Sequence, residues 1–86
     1  MEKLINELKV KIVNILNLVD FGPDDIGDDD QLVGGEFGID SIDILEIVIM
    51  IDKDYGVLID NRKLGEKVFQ SIRTLAGYIY KNSSRL

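Results

Sequence analysis

The chain has 86 residues, 45% hydrophobic and 30% charged, and carries a formal net charge of −6. That composition fits one small globular domain and argues against a disordered segment. His and Cys are both absent, which excludes Ser-His-Asp and Cys-His nucleophilic sites, Cys/His zinc centres and disulfides; any thiol this protein uses must come from outside the polypeptide.

Leu4, Leu8, Ile12, Ile15 and Val19 recur at helical spacing, and Ile5, Val13 and Leu16 widen the stripe. The pattern predicts an amphipathic helix over residues 3–18, ended by Gly22-Pro23 or shortly before them. The start, Met1 to Glu7, lacks the apolar stretch of a signal peptide. The longest apolar run, Ile47 to Ile51, is far short of the roughly 20 residues that a bilayer span requires. A soluble, cytoplasmic protein is the expectation.

Residues 20–40 read as a long loop rich in Gly and acids, pinned to the core by Ile26, Leu32, Val33 and Phe37. Asp24 and Asp25 are placed to cap a brief helical turn. A twelve-residue calcium loop read from Asp25 fails. Gly27 falls at its third position, and Asp30 falls at the sixth, where Gly is needed for the sharp turn. Only weak, nonspecific cation association with Asp28, Asp29 and Asp30 is left.

Asp40 is a good N-cap, with Asp43 three residues on in a capping-box position. The helix that follows runs to Tyr55, where Gly56 supplies the stop. Under a projection of about 100° per residue, Ile44, Ile47, Val48, Ile51 and Tyr55 form the core face. Asp43, Glu46, Met50, Lys53 and Asp54 fall on an opposing polar arc. Ile42, Leu45 and Ile49 form a third strip beside the acids. That strip either packs against the loop or a neighbouring helix, or stands exposed as a transient docking surface, with charge steering the encounter and apolar contact holding it.

Val57-Leu58-Ile59 is a short apolar connector. Asn61 caps a brief third helix to Val68, with Leu64 and Val68 inward. Ser71 caps a fourth, whose Ile72, Leu75, Ala76, Ile79 and Tyr80 form an i, i+3, i+4, i+7, i+8 stripe. Residues 82–86 read as a frayed polar tail after a single domain over 1–81. The fold expected is all-α: a small four-helix bundle with a short third helix and a long first loop.

The charge is unevenly spread. Residues 1–18 sum to +1; residues 19–60 carry thirteen acids against Lys53 alone, for −12; residues 61–86 sum to +5. So acidic a centre repels nucleic acid and anionic lipid and attracts basic protein surfaces; the alternative reading is a solvated face that only keeps a small protein soluble, against which the acids cluster around Ser41. Ser41 stands at the junction of this acidic loop and the second helix, between Asp40 and Ile42-Asp43. A helix N-terminus presents unpaired N–H groups that tolerate an anion such as a phosphate, so Ser41 is suited to carry a phosphate ester, unless it serves only as a helix-start residue. Asp40, Asp43 and Glu46 have no pocket-forming sheet, Gly-rich phosphate loop or second catalytic group beside them. A non-catalytic protein is expected.

The segment Gly38-Ile39-Asp40-Ser41-Ile42-Asp43, the Glu46 beyond it and the apolar helix to Tyr55-Gly56 resemble the acyl carrier proteins, as does the order of helices over nearly the whole chain. The resemblance implies that Ser41 is esterified by 4′-phosphopantetheine, transferred from coenzyme A by a separate magnesium-dependent phosphopantetheinyl transferase. The arm's thiol then carries acyl groups as thioesters. By the same likeness, Asp40 belongs to the attachment motif. Asp43, Glu46 and Asp52 meet basic surfaces of acyl-transferring, condensing or acyl-activating enzymes, and Ile42 and Ile49 are apolar docking positions. Leu45, Val48, Ile59, Leu64 and Ile72 are candidates to line an acyl path between the second, third and fourth helices. The implied protein is a monomer without nucleic-acid partners, stable membrane insertion or a metal.

Departures from the family pattern point to a specialised carrier. Ile42 replaces the usual Leu, and Lys53 interrupts the acids. Arg62 and Lys63 lie where housekeeping fatty-acid carriers are usually acidic, Asp60 lies near their usual Pro, and Gly34-Gly35 lengthens the loop. Two alternatives stand beside this reading: an aminoacyl or peptidyl carrier, and an unmodified acidic helical interaction domain.

Overall fold

The computed structural model describes residues 1–35 and 37–83. It contains four α-helices among them: α1 (Glu2–Ile15), α2 (Ser41–Tyr55), α3 (Arg62–Val68) and α4 (Ile72–Asn82). A single 3-10 turn, Pro23–Asp25, interrupts the first loop. The helices pack as an all-α bundle, with α1 against α2, α4 and the 3-10 turn, and α3 against α4. The Cα radius of gyration is 11.7 Å, close to the ~12 Å of a single packed domain of this length.

α1 is shorter than its hydrophobic period suggests. The chain leaves the helix at Asn17, which adopts the left-handed conformation with φ 52°. The Leu18 N–H donates to the Val13 carbonyl at 3.1 Å, and the Asn17 N–H to Asn14 at 3.4 Å. These are the two bonds of a Schellman ending, which Asn tolerates better than most residues. Once the chain turns there, residue 19 leaves the helical register, so Val19 is 83% exposed and lies outside the core where the stripe placed it. Ile15 is partly exposed, while Leu4, Ile5, Leu8 and Ile12 are buried.

The first loop is held by its own packing. Ile26, Leu32 and Phe37 are buried as expected, and Phe21 meets Phe37 edge to face at 5.1 Å. Lys9 and Arg73 clamp residues 28–29: Lys9 Nζ lies 2.6 Å from Asp28 Oδ1, and Arg73 Nε lies 2.8 Å from Asp29 Oδ1. The Arg73 backbone N–H also donates to the Asp28 carbonyl at 2.9 Å. The Lys9 ammonium beside Asp28 holds that carboxyl below its usual range. These acids therefore tie the loop to α1 and α4, which leaves little for a cation; among the described residues no cluster suited to a metal occurs. Val33, expected to pin the loop, is only partly buried and forms an isolated parallel bridge with Ile39.

The loop also makes one close backbone approach. A Cβ at Gly35 would sit 2.6 Å from the Gln31 carbonyl oxygen. Gly35→Ala is expected to destabilise the domain by about 1–3 kcal/mol through forced backbone displacement. Urea titration reads this directly, and an unchanged midpoint would show that the loop relaxes freely.

α2 buries one residue that the projection assigned to water. Met50 is 7% exposed and belongs to the core. On the helix surface it lies beside Asp54, four residues on, and Lys11 of α1 reaches Asp54 Oδ2 at 3.0 Å. α1 therefore covers this flank, and Met50 goes under it. In the same contact Tyr55 O–H donates to Glu7 Oε1 at 2.7 Å, and Lys11 Nζ lies 4.6 Å from the Tyr55 ring centroid.

Burial, followed by the bond to Glu7, pushes the Tyr55 hydroxyl up to about 12 from its ordinary 10.0. Burial works against the Lys11 charge, but bonds to Asp54, Tyr55 and Glu7 outweigh it and hold the ammonium above the usual lysine range. The Tyr55 bond, against some desolvation, keeps Glu7 below the usual carboxylate range. A group whose pKa is raised on folding contributes fully below its unfolded value and loses that contribution as the pH rises through the folded one. Stability is therefore expected to fall between pH 10 and about 12, and Tyr55→Phe is expected to flatten that limb. Unfolding midpoints measured across the range test this; an equally steep limb in the variant would rule Tyr55 out as its source.

Asn61 caps α3 by accepting the Leu64 N–H at 2.7 Å. Ser71 and Thr74 form a reciprocal capping box on α4, with N–H···Oγ distances of 3.2 and 2.9 Å. Ile72, Leu75, Ala76 and Ile79 are fully buried, whereas Tyr80 is 60% exposed and leaves the stripe. α4 turns its other flank, that of Tyr78, toward Leu64 and Val68 of α3. Asn82 completes α4, and Ser83 Oγ donates to the Tyr55 carbonyl at 2.6 Å. The first two residues expected in a frayed tail are thus structured; residues 84–86 lie outside the described part. No helix among the described residues is long and apolar enough to cross a membrane.

Candidate functional site

The site is built at the start of α2. Gly38, with φ 70°, makes a left-handed turn that L side chains resist. Asp40 follows in extended conformation as the N-cap. Its Oδ1 accepts the N–H groups of Ile42 and Asp43, each at 3.0 Å, and Asp43 Oδ2 accepts the Asp40 N–H at 3.1 Å. This capping box corrects one expectation. Two of the N–H groups that were to tolerate an anion, those of Ile42 and Asp43, are already taken by the Asp40 carboxylate, and two carboxylates flank the helix start. The helix end is therefore a poorer cradle for a free phosphate than an uncapped one.

Ser41 is the residue available to carry a phosphate ester. It is exposed, and its hydroxyl makes no hydrogen bond within the described residues. The cap does not need it, because Asp40 supplies the acceptor. A phosphopantetheine ester fits here: the oxygen is free, the surroundings are open, and the helix keeps its cap after modification.

Ser41 also stands on the edge of a groove of about 1000 Å³, at the upper end of the range for ligand cavities. Ile44, Leu45 and Val48 of α2 line it together with Ile59, Gly65 and Phe69 from beyond α2. Ile59 and Phe69 are buried, so the floor is apolar. Gln31, Asn61, Arg62 and Gln70 are among the polar residues of its lining. Nothing in the helical pattern alone announces this concavity, because it arises where α2, α3 and the first loop meet.

Of the five residues expected along an acyl path, Leu45, Val48 and Ile59 line the groove. Leu64 and Ile72 do not. Leu64 lines a separate, smaller depression between α3 and α4, because its flank of α3 faces Tyr78. Ile72 is fully buried in the core. Ile44, Gly65 and Phe69 were missed: the first was assigned to the core face, and the other two become lining only when α3 is set beside α2.

The expected docking residues share one surface. Ile42, Glu46, Ile49 and Asp52 are all exposed along α2, with Ile42 at 71% and Ile49 at 59%. Asp43 is half-buried and engaged in the capping box, so its carboxylate is only partly free for a partner. Leu45, also 59% exposed, lies where this strip meets the groove. Within the lining, Arg62 of α3 pairs loosely with Glu66 at 3.6 Å, and Lys63 beside it in sequence is exposed.

A family model described as a phosphopantetheine attachment site matches residues 6–79. Comparison with curated proteins and with solved structures found no match.

Proposed function

Since the chain belongs to the phosphopantetheine attachment-site family, and is by that membership a phosphopantetheine-carrying protein, we propose that it is an acyl carrier modified on Ser41. The observation that carries this reading is the apolar-floored groove opening beside Ser41. Once attached, the arm supplies the thiol that the chain lacks and holds cargo as a thioester. The chain's own residues do the rest. Ser41 Oγ presents the attachment point, Asp40 and Asp43 hold the helix start rigid, and Leu45, Val48 and Ile59 give an apolar chain a surface away from water. A polar aminoacyl cargo would leave that surface unused.

Carrier domains of this kind work with a phosphopantetheinyl transferase and with acyl-handling enzymes. For this chain the partners are enzymes of fatty-acid, polyketide-like or specialised lipid synthesis whose basic surfaces meet Glu46 and Asp52 while apolar contacts form on Ile42 and Ile49. The cations Arg62 and Lys63 favour a specialised carrier over a housekeeping one. The protein does no chemistry of its own and is a substrate of these enzymes.

Methyl NMR tests the reading. Octanoyl-phosphopantetheine, installed from octanoyl-coenzyme A by a broad-specificity transferase, is expected to shift the Leu45, Val48 and Ile59 methyl resonances relative to the protein bearing the unacylated arm. If an aminoacyl arm shifts them and an octanoyl arm does not, the aminoacyl reading takes its place.

A further inference from the structure

Gly65 stands inside α3, a helix of seven residues, where glycine destabilises by about 1 kcal/mol relative to alanine. Its backbone does not require glycine: the positive-φ glycines are Gly34, Gly38 and Gly56. Local crowding does not require it either. A Cβ at this position would meet only the Ile59 Cγ2 methyl, at 4.0 Å, an ordinary van der Waals contact. What distinguishes Gly65 is its place in the lining of the groove that also holds Ser41, Ile44, Leu45 and Val48. A side chain there would enter the space that an apolar chain is to fill.

We propose that Gly65 is a specificity-determining residue: by withholding a side chain it sets how long an acyl chain the groove shelters. The inference rests on the acyl-carrier reading and deepens it. Helix stability is given up at a position where neither turn geometry nor packing asks for it, and the free volume so left faces the cargo. Gly77 supplies an internal comparison. It too lies inside a helix, with nothing within 4 Å of an added Cβ, but it lines the smaller depression between α3 and α4. Gly77→Ala therefore makes the same helix-propensity change away from the groove.

The test loads wild type, Gly65→Ala, Gly65→Leu and Gly77→Ala with butyryl, octanoyl or dodecanoyl arms from the corresponding acyl-coenzyme A, using a broad-specificity transferase. Hydroxylamine cleavage of each thioester is followed by intact mass, and thermal melts confirm folding. In wild type, cleavage is expected to slow as the chain lengthens and withdraws into the groove. In Gly65→Leu the dodecanoyl thioester is expected to cleave several-fold faster than in wild type. Gly65→Ala should give a smaller increase together with a raised melting temperature. Butyryl cleavage should be the same throughout, and Gly77→Ala should follow wild type at every length. Chain-length protection that persists unchanged in both Gly65 variants overturns the proposal; if Gly65→Leu does not fold, Gly65→Ala decides. Cleavage independent of chain length in wild type would instead sink the acyl-sheltering reading itself.

Discussion

Ser41→Ala abolishes phosphopantetheine loading and leaves the fold intact. This is the expected result when the purified variant is incubated with coenzyme A, magnesium and a broad-specificity transferase and its intact mass is read against wild type. The loss should be complete, because the hydroxyl is the acceptor atom itself and no neighbouring side chain replaces it. The change should be nearly silent in stability. Ser41 is exposed, its hydroxyl bonds to nothing in the described residues, and Asp40 caps the helix. Alanine is also the better helix former, worth a few tenths of a kcal/mol.

Ser71 makes the contrast. It too begins a helix, but it is buried and bonded within its capping box. Ser71→Ala is expected to destabilise the domain by about 1–2 kcal/mol while loading proceeds on the folded fraction. A mass gain that survives in Ser41→Ala would move the attachment point elsewhere in the chain.

The second large effect is on stability. Ile47→Ala is expected to destabilise the domain by about 2–5 kcal/mol, whereas Ile49→Ala, two residues on, should change it by no more than about 0.5 kcal/mol. Ile47 is fully buried and Ile49 is 59% exposed. Truncating the first leaves a cavity in the core; truncating the second removes a side chain that water already surrounds. A domain of this size has a total stability of roughly 4–13 kcal/mol, so the first change takes away a large share. Paired urea titrations measure both. Equal losses would mean that the Ile42, Leu45 and Ile49 strip is packed rather than presented, and would remove the apolar part of the docking surface.

The strip shows what residue order carries and what it leaves open. α2 is apolar on more than one side, so its periodicity identifies three strips without saying which of them finds a neighbour. The position of α1 decides it. By reaching Asp54 and Tyr55 through Lys11 and Glu7, α1 covers the flank of Met50 and leaves Ile42, Leu45 and Ile49 in water. Val19 and Tyr80 follow the same logic: each continues a stripe in sequence, and each is exposed because the helix ended early or turned its other flank inward.

By itself the sequence determined the four helices, the caps at Asp40, Asp43, Asn61 and Ser71, the stop at Gly56, the acidic centre and Ser41 at a helix start. These are local matters, settled by hydrogen bonds and spacing over three or four residues. It also carried the resemblance that the family match later bore out. The tertiary structure alone decided that Lys9 and Arg73 clamp the first loop, and that Leu64 and Ile72 lie away from the groove. It alone brought Gly65 and Phe69 into one groove with Leu45 and Val48. The reason is that a groove is a gap between elements far apart in the chain, and its shape depends on how their faces are set against one another, which no residue's near neighbours specify.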